Sequence, residues 1–117
     1  MSQAIGKSEV IAFFTALCRR ESRLAFWSYD RTNEEQRSIE GYVASVNEAF
    51  LEIEDFDNES TFVVLAGVEF VQLELSDAPL PIRAIAQESF DFVLGFQTGK
   101  YACCVMAKDL RNTIAAE

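Results

Sequence analysis

Between positions 38 and 75 the chain changes character every few residues. Apolar residues alternate with polar ones, and turn-forming residues interrupt the pattern at short intervals. In residues 50–56, Glu52 and Glu54 alternate with Leu51, Ile53 and Asp55, the period of two expected of a strand with one wet face. Residues 39–46 and 69–75 read as further strands; in the latter Val71, Leu73 and Leu75 share a face opposite Gln72 and Glu74. Residues 61–65 hold the run Phe62-Val63-Val64-Leu65, which fits a central strand covered on both faces. Asp57-Asn58-Glu59-Ser60 and Ala66-Gly67 supply the turns between them.

Upstream, Val10, Phe13, Phe14 and Leu17 fall on one face of a 3.6-residue period, which predicts a helix over residues 8–20. Ser8 is placed to cap it, Glu9 suits its positive end, and Arg19 and Arg20 its negative end. Residues 23–29 predict a first strand, and residues 30–36 a polar outward loop. Downstream, Pro79 and Pro81 predict a linker over residues 76–81. Residues 89–96 and 101–107, flanking Gln97-Thr98-Gly99-Lys100, predict a hairpin, with a helix over residues 87–96 as the competing reading. Residues 108–115 predict a short closing helix. At 117 residues, half of them apolar, the chain makes one domain, residues 1–117.

Charge narrows the function. Residues 38–77 hold ten acidic residues and no Lys or Arg, while the segments on either side carry net charges of +1 and 0. Nucleic-acid binding draws much of its affinity from cations meeting phosphates, so this segment opposes it. It suits solubility, or docking against a basic protein surface. No stretch approaches the about 18 uncharged apolar residues of a membrane span. The N-terminus does not resemble a secretory signal, so the expected location is cytoplasmic.

The chain has no histidine, which removes the usual general base and the commonest zinc ligand. Cys18, Cys103 and Cys104 lack metal-site spacing, and the last two read as core thiols. Asp55, Asp57 and Glu59 superficially resemble a calcium loop, but Ser60 and Ala66 stand where Gly and a bidentate Glu are required. Glu52 and Glu54 read as a wet strand face. No catalytic residue, metal or cofactor is expected, and no enzyme.

One resemblance ties these pieces together. The run Gly41-Tyr42-Val43-Ala44-Ser45-Val46-Asn47 resembles the first motif of Sm-like proteins, Gly-x-apolar-x-x-apolar-Asp. Val64-Leu65-Ala66-Gly67-Val68-Glu69-Phe70-Val71 resembles their second, in which an apolar pair precedes Arg-Gly-x-Asn. The resemblance covers residues 8–75, and an SH3-like fold would give a similar pattern. It implies a mostly β chain: a small barrel of five bent antiparallel strands over residues 23–75, an N-terminal helix, and a C-terminal extension over residues 76–117.

The RNA-binding members grip a base with an Asp, an aromatic or His and an Asn after strand two, and with an Arg and an Asn after strand four. Here Asn47 stands at the Asp. Ala49 falls at the stacking position, or Phe50 if the register slips by one, and Leu51 stands at the following Asn. Ala66 replaces the Arg, beside Gly67, and Glu69 replaces the last Asn. The resemblance therefore implies a barrel without its base-gripping groups. The family also assembles into rings by pairing strand four of one subunit with strand five of the next, which makes Phe62, Val64, Phe70 and Val71 the candidate edge residues. The expected function is a non-enzymatic oligomerising scaffold or protein-interaction module, its partners being itself and a basic protein. The alternative is an RNA-binding protein that uses Arg19, Arg20, Arg23, Arg31 and Arg37.

Overall fold

The structure is a computed structural model that describes residues 3–85 and 90–111. Eight strands form one open antiparallel sheet: β1 (Gln3–Ile5), β2 (Arg23–Asp30), β3 (Glu35–Val46), β4 (Phe50–Asp55), β5 (Ser60–Val64), β6 (Phe70–Leu73), β7 (Phe92–Thr98) and β8 (Tyr101–Ala107). Their order is β1-β6-β7-β8-β2-β3-β4-β5. Helix α1 (Lys7–Arg19) packs on one face and the short α2 (Leu80–Ile85) on the other.

The amphipathic stripe works as its spacing predicts. Val10, Phe13, Phe14 and Leu17 are all fully buried, in one cluster with Leu24, Phe26, Leu51, Ile53, Phe92 and Val105. The helix begins one residue earlier than expected. Gly6, in extended conformation, is the N-cap, and its carbonyl accepts from Val10 N at 3.1 Å, so Ser8 lies inside the first turn. The chain leaves α1 through Glu21, whose φ of 50° reverses it into β2.

All five strands expected between residues 23 and 75 form, as β2–β6. A wrap closing on itself would pair the first of these with the last, but the β7–β8 hairpin lies between them, with β8 on β2 and β7 on β6. The hairpin expected in the tail forms, and the competing helix over residues 87–96 is excluded where β7 runs. Its turn is two residues rather than four, because Thr98 pairs with Tyr101. The stretches Leu24–Phe26, Phe92–Phe96 and Cys103–Ala107 are buried throughout, since α1 covers their inner side. The segment around Ala78 and Ile82 covers their outer side. Two-sided burial requires apolar residues at every position, which is how these runs read.

Three local expectations are corrected. Residues 30–36 are not a loop: Tyr29 pairs with Gln36 and Asp30 with Glu35, leaving a four-residue turn. Residues 76–81 are not a bare linker: a 3₁₀ turn (Leu75–Asp77) leads into α2. Pro81 sits in the first turn of α2, where a missing N–H costs no helical hydrogen bond. β5 is not covered on both faces. It is a sheet edge, with Val63 buried but Phe62 65% and Val64 44% exposed. Strand β1 had no expectation at all. Of the closing helix expected over residues 108–115, residues 108–110 are not helical, and residues 112–115 lie outside the described residues.

The bend that shapes the site is in β3. Its first half pairs only with β2, and from Gly41 onward it pairs with β4, with a register shift between Val43 and Ser45. Such an irregularity turns the strand and swings β4 and β5 out of the plane of β2. Beyond β8, Arg111 ties the chain end to α1. It bonds Asp109 through two nitrogens at 2.8 and 2.9 Å and Glu9 at 3.0 Å, and it lies 4.8 Å over the Phe92 ring.

Candidate functional site: a cleft beside an unpaired strand edge

Because β3 bends, two strand edges face one opening. Among the described residues no strand pairs with the outer edge of β5, and residues 35–40 of β3 pair on the β2 side alone. A cleft of about 620 Å³ lies between them. Thr61–Val64 form one wall and Glu35–Arg37 the other, while Phe26, Ser28 and Cys103 form the floor. Clefts of roughly 300–1,000 Å³ are the usual size of ligand sites.

The end of the cleft is fixed by Asp30, the buried charged residue among those described. Its Oδ1 accepts from Thr32 N at 2.9 Å and Asn33 N at 3.2 Å, and its Oδ2 from Asn33 Nδ2 at 3.0 Å. Lys100 Nζ from the other hairpin tip lies 3.2 Å away. Burial alone would raise this carboxyl, but the Asn33 amide, the Lys100 ammonium and the other donors outweigh it and hold it below its ordinary value. Its hydrogen bond to Asp30 raises Lys100 in turn. The pair locks two hairpin tips together and serves structure. The Asp-x-x-Asn turn was readable in the sequence as an aspartate bonding its own following backbone.

Along β5 the faces alternate. Thr61 and Val63 sit opposite Ile53 and Leu51 and face the core side; Ser60, Phe62 and Val64 sit opposite Glu54, Glu52 and Phe50 and face out. Thr61 Oγ1 is buried without a hydrogen-bond partner among the described residues, an uncommon state for a buried hydroxyl. Glu52 accepts from Ser60 Oγ at 2.8 Å and from Ser45 Oγ at 3.1 Å, which fixes a carboxylate beside the outward face of the edge. Phe50, 48% exposed, extends the apolar patch next to Val64.

The structure brings the two expected ligand loops together, through Leu65 N donating to Ala49 O at 2.8 Å. Their side chains are otherwise engaged or unsuited. Asn47 Oδ1 accepts from Ala49 N and Phe50 N, both at 2.8 Å, so its amide holds its own turn. Gly67, at φ 70°, makes the turn after β5, a conformation that favours glycine. Glu69 is exposed. Of the expected edge residues, Phe62 and Val64 lie on a free edge. Phe70 and Val71 do not: β6 pairs with β1 on one side and β7 on the other, which closes the expected route from strand four to strand five.

The arginines do not converge. Arg23 pairs with Glu40 at 2.9 Å and lies 5.9 Å from the Phe56 ring centroid. Arg31 lies past the opposite end of β2, about 26 Å away at roughly 3.3 Å per residue. Arg37 is on the cleft wall, and Arg19 and Arg20 end α1. Among the described residues these five arginines fall in two places, Arg19, Arg20 and Arg23 at the α1–β2 turn and Arg31 and Arg37 on the β2–β3 hairpin.

Burial raises the Cys103 and Cys104 thiols to about 12, so neither is a nucleophile at neutral pH. Cys18 is half-buried, its Sγ 3.8 Å from Ala44 O. A thiol-specific colorimetric reagent is expected to find one reactive cysteine in the folded protein and three in denaturant. Rapid reaction of two or three in the native state would contradict this burial. The folded pKa lies above the ordinary 9.0, so the thiols' contribution to stability is full below about pH 9 and declines as pH rises toward about 12.

Among the described residues no helix is long and apolar enough to cross a membrane, and no group of His, Cys, Asp or Glu side chains gathers as a metal site. No family model, curated protein or solved structure matches the chain.

Proposed function

We propose that this protein is a non-enzymatic interaction module that binds by adding a strand to the outer edge of β5. One observation carries the reading. β5, Ser-Thr-Phe-Val-Val, is an edge that no other strand pairs with among the described residues, and it has no charge, no proline and two exposed apolar side chains. Natural sheets guard their edges with lysines, prolines, bulges or covering elements. An edge left bare in this way is a template for main-chain hydrogen bonding, with side-chain pockets supplying selectivity. The Sm-like resemblance is consistent with the leading helix, with β3 bending from Gly41 onward and with the Gly67 turn, although the β7–β8 hairpin keeps the strands from closing into a barrel. The engaged Asn47 amide and the dispersed arginines favour a protein ligand over RNA.

A selection of random extended peptides against the full chain, followed by hydrogen exchange, tests this. Enriched peptides are expected to slow exchange of the amides of residues 60–64 and to lose about tenfold in affinity on Val64→Lys, a change an exposed edge position tolerates. Peptides that instead protect α2 or the outer face of β2, with β5 unaffected, would defeat it.

A further inference from the structure

We infer that the cleft between β5 and the first half of β3 receives a single extended segment of a different protein, apolar on its inward side chains and basic on its outward ones. The inference rests on the strand-addition reading and supplies its occupant. Three features of the cleft converge on it.

The first is the pair of edges. Among the described residues, 60–64 and 35–40 each leave one side of their backbone unpaired, and Thr61–Val64 and Glu35–Arg37 of these edges line the same opening. A second folded copy presents β5 with one side already taken by β4. An isolated extended segment has both sides of its backbone free, so it alone offers donors and acceptors in both directions.

The second is the alternation of faces. Residues of the incoming strand beside Thr61 and Val63 point toward Phe26, 3% exposed, and Cys103, 6% exposed. That floor takes apolar side chains, and a hydroxyl beside Thr61 would supply the partner its Oγ1 lacks. Residues beside Ser60 and Phe62 point outward. A Lys or Arg there crosses the small Ser60 side chain toward Glu52 and Glu54, or lies on the exposed Phe62 ring.

The third is charge. The β4–β5 side of the cleft and its turns belong to the segment with ten carboxylates and no cation, and the whole chain carries −9; within the lining Asp30 pairs with Lys100, and Glu35 and Arg37 share the β3 wall. Like charge opposes a second copy, whereas a basic segment is steered in.

Two synthetic probes of about eight residues, one alternating valine with lysine and one alternating valine with glutamate, separate the possibilities. With the full chain, the lysine peptide is expected to bind at least about tenfold tighter by fluorescence anisotropy, to weaken as salt rises, and to slow exchange at residues 60–64. Glu52→Gln with Glu54→Gln is expected to remove most of that preference while the thermal midpoint holds. Equal binding of both probes at β5 overturns the basic occupant and leaves strand addition standing. Failure of both probes to protect β5, in a chain that light scattering finds monomeric, overturns both readings. A stable dimer whose β5 is already protected assigns the edge to a second copy and overturns the inference.

Discussion

Phe13→Ala is expected to cost about 3–5 kcal/mol of unfolding free energy, the range for removing a fully buried aromatic ring. Phe13 has no exposed surface, and its ring centroid lies 5.2 Å from that of Phe14 and 4.4 Å from that of Phe92. It therefore joins the helix to the hairpin at the middle of the sheet. Domains of this size hold about 5–15 kcal/mol in total, so the loss is a large share. With a urea dependence of about 1–3 kcal/mol per molar, the denaturation midpoint should fall by about 2 M. Leu80→Ala is the control: Leu80 is 70% exposed and its truncation should stay within about 0.5 kcal/mol. A Phe13→Ala midpoint indistinguishable from that of Leu80→Ala would refute the placement of α1 against the sheet.

Gly41→Ala should be damaging although it adds one methyl group. A Cβ there would run into the Glu54 carbonyl oxygen and lie 3.0 Å from Asp55 Cα, both backbone atoms of the paired strand. Neither can yield without opening the β3–β4 ladder at the bend. The expected loss is about 3 kcal/mol, the upper part of the range for overpacking. Gly95→Ala makes the comparison instructive. Its new methyl would come 2.9 Å from Leu73 Cδ1, the end of a side chain that can rotate away, so its cost should be smaller. Hydrogen exchange should locate the Gly41→Ala damage in residues 50–64 ahead of β2 and β8. Equal stability of the two variants would show that the bend is not as close as described.

The contrast between these positions explains what was legible beforehand. The stripe Val10-Phe13-Phe14-Leu17 and the wet face of β4 depend on periodicity within one element, and periodicity survives in a linear sequence. The Gly67 turn is equally local. The error at residues 62–65 has a physical cause. A continuous apolar run arises from burial on two sides, as in Phe92–Phe96, or from an edge that holds one face for a partner. Composition is the same in both cases. The insertion of β7 and β8 between β2 and β6 depends on pairing across about 80 positions, with no signal in either segment alone. The cleft shares that origin, since Phe26, Thr61 and Cys103 meet only after β3 has bent. Phe62 and Val64 were singled out from the sequence. Asp30 and Thr61, which give the cleft its closed end and its unmatched hydroxyl, were not.

The order of the sheet bears on how the molecule can be made. Residues 92–107 leave the ribosome after every strand they join, yet they occupy the centre of the sheet, with α1 beneath. Until they emerge, the meander of β2 to β5 and the pair β1–β6 have no hydrogen-bonded connection, and the aromatic face of α1 lacks Phe92 and Phe96. Between the completion of β6 at Leu73 and that of β8 at Ala107 the growing chain lacks the element that joins its two parts, which is a setting for chaperone dependence. Completion then comes as one late docking of a hairpin between two waiting edges, and chains that stop before residue 92 should be degraded rather than accumulate as a smaller domain.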